Sequence, residues 1–390
     1  MAGGGAGLAR LSGAGGAPRR PAPPLPEWDR YAHWRRGPAL ALIAVLVALI
    51  VLAALMPLTA SMDGEVSTVA SIEIVGGETD GDVRRDDDLA LYDRIIARVR
   101  SGEDYYAAAI EEQRAGDYPV RPGLAVRLPT LAFAHAYLGE TVLQGLAALL
   151  LVLTGWAWWR RFGAEAGGKR YRNFAAILVV LGGVTVLNRY YSVLHEFWTG
   201  ALIALSLGLH RPGRFGASLL VAALALALRE HALPYVLLMA AIALWRRDWR
   251  EGAAWIALLV AFSLALALHL GTVAALVRPD DPLGPSWLVL DGLGGWLSKV
   301  VLSSNLRFLP QWLAGPLAIA MVFGWSGWRS PAGTTATLLL LGYALAFMLA
   351  GRANNFYWGA VVAPVMFVGL ALLPMAARAL FRAAFERRGG

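Results

Sequence analysis

Three consecutive carboxylates, Asp86, Asp87 and Asp88, open a stretch in which Leu89, Tyr92, Ile96 and Val99 recur at three- and four-residue steps. That recurrence is one face of a helix, with the aspartates at its N-terminus. Acidic side chains there cap the helix and complement its dipole. One is enough for that, however, and three in a row repel each other. A carboxylate held at a helix start can also serve as a general base toward a hydroxyl group. Any one of Asp86, Asp87 and Asp88 could play that part, with Tyr92 one turn beyond Asp88.

Candidate cations for an anionic partner are spread along the chain: Arg127, His195, Arg229, His231, Arg307 and Arg352. Glu196 and Glu230 accompany them in "LHEFW" and "LREHALP". Arginine in partly dry surroundings binds phosphate or carboxylate strongly, and ionisable residues at membrane depth are functional suspects. Near the ends of apolar spans the same residues also anchor to the interface. A Glu196–Arg229 pair that neutralises itself is the plainer reading of those two, and it is compatible with a site. The remaining histidines, His33, His135, His210 and His269, have no ligand spacing, and the chain has no cysteine. Thiolate catalysis and Cys-based metal sites are therefore excluded. There is no HExxH, no phosphate-binding GxxxxGK loop and no GxSxG. Asp280 and Asp281, flanked by prolines, read as a turn.

The elements that must position these residues are membrane helices. Of 390 residues, 57% are apolar and 16% charged, and the mean hydropathy is +0.53. Continuous apolar runs of about 20 residues match a bilayer core and argue against a barrel. Residues 38–58 form a retained signal anchor, and nine further apolar segments lie between 137 and 376, giving about ten spans. Residues 1–37 read as a disordered basic tail and 377–390 as a second basic tail; 59–134 and 272–308 are the two long outer loops. With both termini inside, the inner segments hold 21 basic and 6 acidic residues, against 14 and 21 outside. The net charge of +8 thus follows the positive-inside rule rather than affinity for nucleic acid. Several middle spans are short, which suits helices around a cavity opening outward.

The first outer loop reads as two amphipathic helices. The first ends near Gly102. The second is opened by Asp104, runs from Tyr105 to Arg114 and closes near Gly116. Both are expected on the outer membrane surface, apolar face down. Their histidine- and arginine-bearing partners fall at the outer ends of two neighbouring spans, on the same side as the aspartates.

A long first outer loop with an early "DxxxY", "GEDYY" after its first helix and the return "YPVRPGLAVRLPTLAF" resembles the GT-C superfamily of membrane glycosyltransferases. These include the polyprenyl-phosphate-sugar-dependent mannosyl- and aminoarabinose transferases. The central segment from "LHEFW" to "WRRDWR" and the late "GRANNFYWGAVVAPVMF" are similar in kind. The Asp-Glu pair of several members is replaced here by Asp-Asp-Asp. The resemblance covers most of 38–376 in layout. It implies an all-α membrane bundle in a bacterial inner membrane, with an active site facing the periplasm. It also implies inverting transfer of a sugar from a polyprenyl-phosphate donor to an envelope glycolipid, polysaccharide or exported protein. Asp88 would be the base, with Arg127, Arg229 and Arg352 on the lipid phosphate and Tyr92, His195, Glu196, Glu230, His231, Arg307 and Tyr357 around the substrate. No resident metal is expected, a divalent cation on the aspartates being the alternative because some members need one. The rival functions are a transporter or flippase of lipid-linked sugars, which needs charged residues in the inner half of the spans as well, and a non-catalytic partner in polysaccharide assembly.

Overall fold

The computed structural model describes residues 28–62, 65–68 and 87–386. Helix α1 (Arg36–Leu55) leads into a short antiparallel hairpin of β1 (Thr59–Met62) and β2 (Glu65–Thr68), a small addition to the expected all-α architecture. The outer helices α2 (Asp87–Arg100) and α3 (Tyr105–Ala115) follow, then α4 (Thr130–Ala164), α5 (Arg172–Gly183), α6 (His195–Leu209) and α7 (Gly216–Leu228). The chain continues through α8 (Leu233–Trp245), α9 (Trp249–Leu276), α10 (Gly292–Leu302), α11 (Gln311–Ser326), α12 (Pro331–Leu349) and α13 (Ala363–Phe385). Among the described residues, six helical stretches are long and apolar enough to cross a membrane: Arg36–Leu55, Gly123–Ala164, Lys169–Leu187, Trp249–Leu276, Pro331–Leu349 and Ala363–Phe385. Gly216–Leu228 and Glu230–Trp245 are shorter apolar helices. The architecture is that of a multi-pass helical membrane protein. Its outward faces are apolar too: on α1, Val45, Val51 and Leu55 are at least half exposed.

Helix α6 is the central post. Every residue from His195 to Gly208 is buried, as befits a helix apolar on all sides. Around it, close approaches depend on missing side chains. At the α11–α13 crossing a Cβ on Gly324 would run into the backbone at Gly369, and one on Gly369 would run into Met321. Small residues at helix crossings in membranes serve this purpose. Gly324→Val is expected to cost about 1–3 kcal/mol by overpacking, seen as a lower melting midpoint in detergent. Gly139 breaks α4 with φ 77° and ψ 165°, a conformation that glycine alone adopts easily. It separates the outer segment Thr130–Leu138 from the long membrane stem.

The two outer helices have the expected bounds. The Asp104 carboxylate accepts from the backbone N–H groups of Tyr106 and Ala107, both at 3.0 Å, and Gly102 ends the turn after α2 with φ 97°. Their apolar faces, however, are turned on the protein and not on lipid. Leu89, Ile95, Ile96 and Val99 are buried in the main core, with Tyr105, Ala109 and Ile110. The second outer loop is tied to them. Arg114 Nη2 donates to Asp281 Oδ2 at 2.9 Å and to the Leu276 carbonyl at 2.7 Å, and Arg121 donates to the Asp281 carbonyl.

Asp281 is therefore a buried latch and not merely a turn. The Arg114 guanidinium, helped by the Arg278 N–H, holds its carboxyl down at about 2. A carboxyl whose folded pKa lies below its unfolded one stabilises the fold above the ordinary carboxylate range and stops doing so as pH falls toward the depressed value. Protection of the 276–284 loop from proteolysis should accordingly fade between about pH 4 and pH 2. Asp281→Asn should lose about 1–3 kcal/mol at neutral pH and show no such acid step.

Both terminal expectations need correction. Residues 1–27 lie outside the described residues, but 28–35 are folded. Tyr31 is buried, its hydroxyl is 2.6 Å from Ser326 Oγ, and Arg30 Nη2 donates to Thr334 Oγ1 at 2.9 Å. At the other end, α13 runs on to Phe385, because Ala376, Ala379, Leu380 and Ala384 keep a helical stripe against Tyr31 and Ala39.

Candidate functional site

Arg127 is placed by its surroundings before it touches any partner. Gln113 Nε2 donates to the Pro119 and Ala125 carbonyls, shaping the return segment after α3. The Tyr105 hydroxyl donates to the Arg127 carbonyl at 2.7 Å, and His269 Nε2 lies 3.1 Å from the Val126 carbonyl. The guanidinium then donates in three directions: Nε to the Tyr92 hydroxyl at 2.9 Å, Nη1 to Glu196 Oε1 at 3.2 Å and Nη2 to the Tyr357 hydroxyl at 3.1 Å. Three outer or central elements, α2, α6 and the turn after α12, thus meet on one side chain.

Glu196, with no exposed surface, is shared. Its Oε1 is also 2.9 Å from Arg229 Nε, so one carboxylate neutralises parts of two guanidiniums. Arg229 Nη1 lies 3.0 Å from Glu230 Oε1, which is 3.4 Å from His231 Nδ1. His231 packs on Trp358 with ring centres 4.5 Å apart. The expected Glu196–Arg229 pair exists, therefore, and serves to hold two cations at the edge of a cavity. That cavity measures about 130 Å³ and is lined by Asp88, Tyr92, Arg127, Arg229, Arg352 and Tyr357, with Trp287 and Asn354 closing one side. Arg352 is set by the backbone: its N–H donates to Asn355 Oδ1 at 3.1 Å, and the preceding Gly351 donates to the Trp287 carbonyl at 2.7 Å. Arg352 Nε and Asn354 Oδ1 are buried without partners. Three guanidiniums facing one carboxylate suit an anion that must also meet a base.

Of the sequence candidates, Asp88, Tyr92, Arg127, Arg229, Arg352 and Tyr357 come together here. Glu196, Glu230 and His231 stand behind them as charge partners. Asp88 itself is exposed at the cavity mouth in the first turn of α2. Asp87 is the first residue of α2, and Asp86 lies outside the described residues. His195 is buried 6.1 Å from the Tyr92 ring, beside a smaller void. Arg307 is not brought to the cavity: it packs over the Tyr191 and Phe308 rings at 5.5 and 4.9 Å. Among the described residues, no three His, Asp or Glu side chains are grouped as a metal site.

The sequence reading missed two features. Trp287 and Asn354 carried no recognisable motif. The C-terminal end of α6, about 22 Å from His195 at 1.5 Å per residue, meets charges that the spans were expected to lack. Buried Arg161 pairs with Glu165 at 2.8 Å, and His210 Nε2 sits 2.7 Å from Glu251. Comparison with protein-family models, with curated proteins and with solved structures gave no match.

Proposed function

We propose that this protein is an inverting glycosyltransferase of a bacterial inner membrane. It would have about ten spans, both termini inside and the cavity on the periplasmic side, and it would use a polyprenyl-phosphate-linked sugar. The observation that carries the reading is the single cavity that unites Asp88 with Arg127, Arg229 and Arg352. In this reading Asp88 takes the proton from an acceptor hydroxyl as its oxygen attacks the anomeric carbon. The bond from that carbon to the phosphate oxygen breaks, and the electron pair leaves on the phosphate. The arginines stabilise the charge that develops there. One base and one direct displacement invert the anomeric centre. Tyr92 and Tyr357, hydrogen-bonded to Arg127, fix the angle at which it meets the phosphate.

Mass spectrometry of envelope glycolipids and polysaccharide from a deletion strain tests this. The strain is complemented with wild type or with Asp88→Asn at equal membrane levels. Restoration of a missing sugar by wild type alone supports transfer, and restoration by both sinks it. A second reading, a flippase for the same lipid-linked sugar, draws on the buried Arg161–Glu165 and His210–Glu251 pairs at the inner end. In that case Asp88→Asn would leave the sugar in place, and His210→Ala would strand the lipid on the inner leaflet.

A further inference from the structure

A second cavity, of about 240 Å³, adjoins the first and shares Arg352 with it, while Lys299 and Asp291 have no part in the chemistry above. It opens between the outer end of α1, the first turns of α10 and the turn after α12, and Met56, Asp291, Ser298, Lys299, Arg352 and Phe356 line it. Arg352 faces both cavities. Lys299, one of only two lysines in the chain, is 2% exposed.

The ammonium of Lys299 has three protons to donate. Its partners, Asp291 Oδ2 and the Gly295 carbonyl, are both 3.4 Å away, at the outer limit for a hydrogen bond. The buried Arg161–Glu165 pair, by contrast, closes to 2.8 Å. Burial pushes the Lys299 ammonium below the usual lysine range, with Asp291 opposing. Across the cavity, Arg352 Nε is buried and unpartnered. The backbone makes room for this arrangement, since a Cβ on Gly351 would lie 2.6 Å from Lys299 Cε. A buried cation this poorly satisfied is costly to maintain, and a better-placed anion would relieve it.

Asp291 can yield its place. It is the N-cap residue of α10 but makes no capping hydrogen bond, and its side chain keeps 29% exposure. The chemistry of the mouth is amphipathic. Leu55 and Leu290, each next in sequence to a lining residue, are 75% and 84% exposed, beside the outer end of a membrane-length helix. We propose that this cavity is a second anion site, separate from the Asp88 cavity, that takes a phosphate ester on Lys299 and Arg352 in exchange for Asp291. The site stands whether or not the Asp88 cavity transfers sugar.

The test is native mass spectrometry of the purified full chain in detergent, with farnesyl phosphate, inorganic phosphate and farnesol as probes. Wild type should carry two farnesyl phosphates. Lys299→Met should carry one, its affinity for the lost one down by at least about tenfold, and Arg229→Met should lose the other. Asp291→Asn should bind more tightly, because it removes the internal competitor. A merely structural Lys299–Asp291 pair would not give that result, and it keeps the proposal open to refutation even if Lys299→Met fails to fold. If transfer fails as a function but this site is real, wild type carries one ligand and Lys299→Met none. Binding of farnesyl phosphate but not inorganic phosphate assigns a lipid headgroup; binding of inorganic phosphate alone, still dependent on Lys299, assigns a free phosphate. Equal stoichiometry in wild type and Lys299→Met, or looser binding in Asp291→Asn, overturns the site.

Discussion

Under the proposed sugar transfer, Asp88→Asn should lower kcat by about 10²- to 10⁴-fold, the usual contribution of a positioned base, while donor affinity stays within a fewfold of wild type. The split follows from where Asp88 stands. It is exposed at the mouth, and the cations that would hold the phosphate come from other elements. Asparagine keeps the size and the hydrogen-bonding edge but cannot accept a proton. Single-turnover transfer with a radiolabelled lipid-linked sugar separates chemistry from binding. If kcat holds and only the affinity changes, Asp88 is a binding or capping residue and the base must be sought elsewhere.

Arg127→Met should be the most damaging single change in the molecule. It strips donors from Tyr92, Tyr357 and Glu196 at once and leaves a fully buried carboxylate with Arg229 as its remaining cation. Breaking a buried pair from one side costs about 3–5 kcal/mol, well above the cost of overpacking a helix crossing. The melting midpoint should fall steeply, and donor binding should fall with it. The double variant Arg127→Met/Glu196→Gln should recover much of the stability, since the orphaned charge is gone, yet none of the binding. Arg127→Lys should keep the charge but lose the fork that reaches three partners, and so land between them. A single variant as stable as wild type would show that Glu196 is satisfied by Arg229 alone.

What could be read from the sequence was mostly local or dictated by topology. The start and end of α3 follow from Asp104 and Gly116, within four residues of the turns they make. Counting spans placed Glu196 and Arg229 at neighbouring outer ends, and they meet at 2.9 Å. The features that escaped depend on partners far along the chain. Asp281 meets Arg114 across 167 positions and His210 meets Glu251 across 41, and no periodicity announces such pairs. Nothing local marks Tyr31 as buried, because its partner Ser326 lies 295 residues away. The amphipathic faces of α2 and α3 were correctly drawn but assigned to lipid, since an apolar stripe does not say whether protein or membrane will cover it.

The break at Gly139 gives the molecule a joint. On one side lie the outer helices and the return segment that carries Arg127; on the other lie the membrane helices that carry Glu196 and Arg229. The cavity lies where these two groups of elements pack together, and Arg127 bonds across it. Under the proposed function, sugar transfer would therefore depend on the contacts Arg127 makes to Tyr92, Glu196 and Tyr357.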